Sequence, residues 1–165
     1  MFYLTRLKTE KKIASILRKN NWRLCIAESC TGGLVSSRMT DLPGSSEFIT
    51  ENFVTYANSA KVRYLGVQEA TLEKYGAVSE QTAREMVCGL AERTGCDAAL
   101  ATTGIAGPTG GSAEKPVGTI YVGVKVKDKV AVERFNLNPK YSRTRLKRKF
   151  TKQALEFLLE QLTKI

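Results

Sequence analysis

Apolar positions along the 165-residue chain alternate between helical and strand-like spacings. Leu7, Ile13, Ile16 and Leu17 recur at helical intervals in an otherwise basic segment and predict a helix over residues 7–20. Arg23–Glu28 is a short apolar strand, Ser29–Gly33 interrupts it, and Leu34–Thr40 resumes helically. Pro43–Ser46 reads as a turn and Phe48–Tyr56 as a strand. Asn58 is the expected N-cap of a helix through Leu65 that Gly66 ends. Ser79 caps the clearest helix, Glu80–Thr94, in which Ala83, Met86, Val87, Leu90 and Ala91 share one face and Gly95 supplies the stop. Ala98–Thr103 is another buried strand and leads into the glycine-rich stretch Gly104–Gly111. Val117–Val126 and Lys129–Leu137 form an expected hairpin around Lys127-Asp128, and Ser142–Thr163 is the closing helix. Helices interleaved with short apolar strands predict a layered α/β fold with a mixed sheet, the hairpin supplying its antiparallel member. No linker, repeat or low-complexity tract divides the chain, which reads as one domain over residues 1–165.

Composition narrows the chemistry. The chain contains no histidine, which removes imidazole-based serine, cysteine and aspartate mechanisms and His-ligated zinc sites. Acid–base work falls to Lys, Tyr, Asp, Glu or Cys. The net charge of +10 would suggest a polyanionic partner, but its distribution argues otherwise. Residues 1–23 hold seven basic groups and one acid, residues 140–165 eight and two, and residues 24–139 eleven and thirteen. The excess is terminal, and at helical spacing Lys140, Arg143, Arg145, Lys147, Arg148, Lys149 and Lys152 wrap around their axis without forming a stripe. A solvated face is the favoured reading, with one or two residues reaching an anionic ligand. The amino-terminal apolar stretch is too short for a signal-peptide core and no window approaches a membrane span, so a cytoplasmic location is expected. Cys25, Cys30, Cys88 and Cys96 show neither a CxxC pair nor metal-ligand spacing.

Two glycine-bearing loops follow apolar strands, where sites form in open α/β sheets. In the first, Ala27–Gly33, glycines let a substrate approach the backbone and helix-start N–H groups can serve an oxyanion. The second, Thr103–Gly111, has the same capability. Neither is a Walker A loop and neither fits GxGxxG. A structural turn explains each loop equally well.

A third element ends at Lys61. If Asn58 is the N-cap, Lys61 sits third in its helix, where the macrodipole disfavours an ammonium. Bringing lysine from ~10.4 to a working pKa near ~7.5 needs about 4 kcal/mol. The dipole supplies at most ~2 kcal/mol, so desolvation or a second cation must add the rest, unless Tyr56 relays the proton.

The strings AESCTGG (27–33), PGSSEF (43–48), FVTYANSAK (53–61), GAVSEQTA (76–83) and TGIAGPTGGSAEKPVGTIYVGV (103–124) together resemble the CinA carboxy-terminal domain family. The resemblance runs from about Leu7 to about Leu159. It implies a three-layer α/β/α domain with a mixed, mostly parallel sheet. It also implies hydrolysis of the carboxamide of nicotinamide mononucleotide to nicotinate mononucleotide and ammonia, in pyridine nucleotide salvage, with neither a metal nor an organic cofactor. The family's proposed nucleophile falls on Ser29 and its Tyr and Lys partners on Tyr56 and Lys61. With histidine absent, a Ser–Lys or Ser–Tyr–Lys arrangement activates the serine, and the direct proton acceptor remains either Lys61 or Tyr56. Cys30, Thr31, Gly32 and Gly33 then surround the oxyanion, while Thr103, Gly104 and Gly107 are ligand-loop positions and Ser45 and Ser46 weaker ones. Where the family often has Asp-Arg and a further Arg one turn later, this chain has Ser142-Arg143 and Lys147. Arg143 is the phosphate candidate, and Lys147 supplies charge without a bidentate fork.

The family also occurs as the rear half of a longer protein whose front half carries another activity, which is not carried over. Members commonly associate as homo-oligomers, so the resemblance, and not the sequence itself, implies a homo-oligomer here, with a dimer as one option. A different function class is an adaptor or nucleic-acid-binding module, suggested by the basic termini and expected to show steeply salt-dependent binding. A third possibility is hydrolysis of a related nucleotide or nucleoside amide.

Overall fold

The computed structural model describes residues 7–165, so the amino-terminal apolar stretch lies outside the described residues. Helix α1 covers Lys8–Asn20 and buries Ile13, Ala14 and Leu17 on the face that the apolar spacing predicts. Asn21 closes it in the left-handed conformation (φ 54°). Strand β1, Leu24–Glu28, is buried at all five positions. Helix α2 spans Leu34–Thr40, a 3-10 turn occupies Ser45–Glu47, and β2 runs Ile49–Val54. Next come α3 (Asn58–Leu65), α4 (Glu69–Tyr75) and α5 (Glu80–Thr94). Strands β3 (Ala98–Gly104), β4 (Thr119–Val126) and β5 (Lys129–Asn136) precede the closing helix α6, Arg143–Leu162. Ser79 and Ser142 cap α5 and α6 by accepting hydrogen bonds from the Thr82 and Arg145 N–H groups. Helix α4 is the element the sequence does not announce, because it buries no residue and carries no apolar stripe to read.

The five strands form one sheet in the order β2-β1-β3-β4-β5. β1 pairs parallel with β2 and β3, whereas β3–β4 and β4–β5 are antiparallel. Four strands therefore point one way and β4 alone is reversed, the mixed α/β sheet expected from the hairpin. One core packs α1, α2 and α6 against the face bearing Leu24, Ile26, Leu100 and Ile120. The other packs α5 and the end of α3 against Cys25, Ala27, Ala99 and Ala101. The small residues of β1 and β3 on this second face let α5 lie close to the sheet. β1, β2 and β3 share a direction, so their carboxyl ends open onto one edge, where a site is expected in such a sheet.

Candidate active site

Side chains alternate across a strand, and in β1 that alternation separates two neighbouring polar residues. Leu24 and Ile26 face the core built by α1, α2 and α6, whereas Cys25 and Ala27 face α5. Continuing the period, Glu28 turns toward α2 and Ser29 toward the α3 side. The Ser29 N–H donates to the Thr102 carbonyl at 3.1 Å, extending the β1–β3 pairing to the serine, which is 8% exposed. Its Oγ lies 3.1 Å from Lys61 Nζ.

Lys61 is only 1% exposed. Its Nζ donates to the carbonyls of Thr55 (2.9 Å) and Tyr56 (3.1 Å) as well as meeting Ser29. Burial holds its pKa below the ordinary lysine value, with the neighbouring Cys30 thiol opposing the shift. The helix start differs from the expected one. Ala57 is the N-cap of α3, with no side-chain cap, and Asn58 is the first helical residue. Lys61 is therefore fourth in α3, its N–H already bonded to the Ala57 carbonyl at 3.2 Å. The macrodipole fades within the first turn, and desolvation carries the shift.

Ser29, Cys30, Tyr56, Lys61, Thr103, Gly104 and Arg143 line one pocket of about 180 Å³. Tyr56 is 61% exposed, and its Oη accepts from Arg143 Nη2 at 2.9 Å. Arg143 Nη1 donates to the Gly107 carbonyl at 2.8 Å, which ties the second glycine loop to the start of α6. Gly107 needs its φ of 66°, and a Cβ there would stand 2.5 Å from Val117 Cγ1. The Thr103 hydroxyl donates to the Ala77 carbonyl at 2.7 Å. Cys30 is buried, and desolvation together with the Glu28 carboxylate pushes its thiol up to about 12. Cys30 is thus a neutral thiol beside Ser29.

The remaining expected residues sit elsewhere. Thr31 pairs its hydroxyl with that of Thr102 at 2.8 Å beneath the loop. Gly32 lies beside Lys147, whose Nζ would be 3.1 Å from a Cβ at that glycine. Gly33 is the N-cap of α2 at φ 94°, and its N–H donates to Glu28 Oε2 at 3.0 Å. The Gly32 N–H is likewise spent on the Ser29 carbonyl at 3.1 Å. Of the expected oxyanion donors, the N–H groups of Cys30 and Thr31 are left without a backbone acceptor among the described residues. Ser45 and Ser46 belong to the 3-10 turn that enters β2, at the sheet edge opposite the pocket. The structure does not bring them to it.

Asn58, Ala77, Val78 and Ala106 complete the lining. Ala77 and Val78 fall inside the GAVSEQTA string, but small apolar side chains carry no chemical signature of a site. The basic residues of α6 are dispersed: Arg145 and Lys149 flank the Tyr141 ring at 4.2 and 5.0 Å while Leu146 and Phe150 point inward. Among the described residues no group of His, Cys, Asp or Glu is arranged to hold a metal ion, and no helix is long and apolar enough to cross a membrane.

Comparison with known proteins places the chain among relatives. A nicotinamide-nucleotide amidohydrolase PncC from Enterobacter agglomerans is 52% identical over 117 residues, 71% of each chain. A CinA-like protein from Chloroherpeton thalassium is 43% identical over 98% of this chain but only 39% of its own length, so the chain spans about two-fifths of that relative. A CinA superfamily protein from Klebsiella pneumoniae superposes with a TM-score of 0.90 at 29% identity, covering 96% of this chain and 98% of that one. The competence/damage inducible protein CihA from Agrobacterium tumefaciens does so at 0.86 and 39% identity, covering 94% and 95%. The family model described as the CinA C-terminal domain matches residues 6–162, and the chain belongs to that family.

Proposed function

We propose that the protein is an amidase that hydrolyses the carboxamide of nicotinamide mononucleotide, giving nicotinate mononucleotide and ammonia, with Ser29 as nucleophile and Lys61 as base. The contact that carries this reading is the 3.1 Å approach of Lys61 Nζ to Ser29 Oγ at the foot of a pocket. The similarity to a nicotinamide-nucleotide amidohydrolase supports the substrate class.

The three oxygens around Lys61 Nζ suit either protonation state. An ammonium donates to all three. The neutral amine keeps its two N–H bonds to the Thr55 and Tyr56 carbonyls and turns its lone pair to the serine hydroxyl. Burial favours the neutral form, so the amine takes the hydroxyl proton as Oγ attacks the amide carbon. The tetrahedral oxyanion points to the N–H group of Cys30, which lines the pocket. Collapse breaks the C–N bond, Lys61 returns the proton to the departing ammonia, and a nicotinoyl ester stays on Ser29. Water, deprotonated by Lys61, then attacks the ester, and Ser29 recovers its proton as the carboxylate leaves.

Tyr56 Oη accepts from Arg143, whereas it is Lys61 Nζ that meets Ser29 Oγ, which supports lysine as direct acceptor. The pocket is smaller than the roughly 300 Å³ at which sites for whole drug-sized ligands begin, so it suits the pyridine carboxamide alone. The ribose phosphate extends to the mouth, where Arg143 and, beside Gly32, Lys147 supply positive charge. The test is ammonia release from nicotinamide mononucleotide and from its riboside by wild type and Ser29→Ala. Release that disappears in the variant and is slower on the riboside is the expected result, and no release by wild type at saturating nucleotide overturns the reading.

A further inference from the structure

Glu28, the residue before the nucleophile, is fully buried, and the mechanism above does not use it. Its carboxylate accepts four hydrogen bonds, all from the first turn of α2. Oε2 accepts from the Gly33 N–H (3.0 Å) and the Val35 N–H (3.1 Å), and Oε1 from the Ser36 N–H (2.9 Å) and the Ser36 hydroxyl (2.7 Å). A capping side chain normally lies next to its helix, but this one reaches five to eight residues forward from the end of a strand. The chain it spans is the Ser29–Gly33 turn. The same residue's backbone carbonyl accepts from the Thr55 N–H at 2.8 Å, at the segment whose carbonyls cradle Lys61.

We propose that Glu28 is a positioning residue for the hydrolysis: by clamping the start of α2 to the end of β1 it sets the turn that aims Ser29 Oγ and the Cys30 N–H group at one reacting carbonyl. The proposal rests on Ser29 being the nucleophile of the amidase reading. The physical basis is the bond inventory of the turn. Among the described residues only two backbone hydrogen bonds lie within it or span it, Gly32 N–H to Ser29 and Leu34 N–H to Thr31 at 3.1 and 3.4 Å, and its two glycines take φ of 61° and 94°. Such a turn has little to fix it internally. The four charge-assisted bonds close it from outside, and they also occupy the α2 terminus, so the dipole there meets a carboxylate and not the substrate. Misplacing a nucleophile or an oxyanion donor by about 1 Å costs on the order of 10²-fold in rate while leaving ground-state binding nearly untouched.

Glu28→Gln tests this, because an amide keeps the shape but turns an NH2 toward N–H donors. Steady-state kinetics on nicotinamide mononucleotide is expected to show kcat lower by about 10- to 100-fold. KM stays within about twofold and the acid limb of the pH profile does not move, since Lys61 stays buried with its Nζ on the Thr55 and Tyr56 carbonyls. A fall in kcat smaller than about fivefold, or a change confined to KM, overturns the proposal. If Glu28→Gln does not fold, Ser36→Ala, which removes one donor, decides: a fall in kcat of about threefold at unchanged KM and melting temperature supports the clamp, and wild-type kcat overturns it. If wild type releases no ammonia, the amidase reading has failed on its own account. The clamp is then read from the rate at which a small fluorophosphonate labels Ser29, followed by intact mass: slower labelling in Glu28→Gln supports it and equal labelling overturns it.

Discussion

On the α2 side of Ser29, the Glu28 carboxylate is wholly buried and meets four donors, three of them N–H groups at a helix start. On the α3 side, Lys61 is equally buried, but every oxygen around its Nζ is neutral. Burial of either charge costs several kcal/mol unless something repays it. The helix terminus repays it for the carboxylate. Nothing comparable repays it for the ammonium, and the lysine pKa falls. In the proposed mechanism two charges at similar depth thus have different uses, one holding structure and the other exchanging a proton.

Several experiments break or sharpen that contrast. Ser29→Ala removes the group between the two sides and is expected to lower kcat by at least about 10³-fold, measured as ammonia release; near wild-type activity would remove the nucleophile assignment. Lys61→Ala is expected to cost about 10²- to 10⁴-fold, the range of a lost general base. The same lysine sets the pH dependence. With Lys61 as the base, activity needs its neutral form, so kcat/KM is expected to rise with pH and to reach its plateau below the ordinary lysine value of ~10.4. Folding stability rises over the interval between the lowered and the ordinary pKa, because there only the unfolded chain still holds the proton. A kcat/KM that is flat up to pH 9 in wild type but otherwise normal would point to another base.

Tyr56→Phe is expected to leave kcat within about threefold and to raise KM several-fold, since its hydroxyl serves Arg143. A loss as deep as that of Lys61→Ala would transfer the base role to the tyrosine. Smallest of all, neutralising Arg145, Arg148 and Lys149 together is expected to leave kcat/KM within about twofold, because none of the three lines the pocket.

Much of the candidate site is legible in the chain because its parts are tied to punctuation. The glycines that let the two strands exit mark both loops, and Ser29 and Thr103 sit where apolar runs stop. Other parts carry no such mark. Ser45 and Ser46 share the composition of a ligand loop, yet they lie at the entry to β2 and not at its exit. Asn58 has the chemistry of an N-cap, but Ala57 takes the position and moves Lys61 one place along the helix. Glu28 reads as the polar end of a strand, since no pattern within five residues shows which helix it caps.

The sequence alone determined the layered α/β fold, ten of the eleven α-helices and strands among the described residues, the two loops and the residue types available for catalysis. These follow from local periodicity and from the absence of histidine, properties that need no partner across the fold. Only the tertiary structure decided which residues meet. Ser29 and Lys61 are 32 positions apart and Tyr56 and Arg143 are 87 apart, and the parallel pairing of β1 with β2 and the packing of α6 bring them into hydrogen-bond range. Only that structure decided the direction of the Lys61 pKa shift as well, because desolvation depends on what surrounds a side chain and not on its neighbours along the chain.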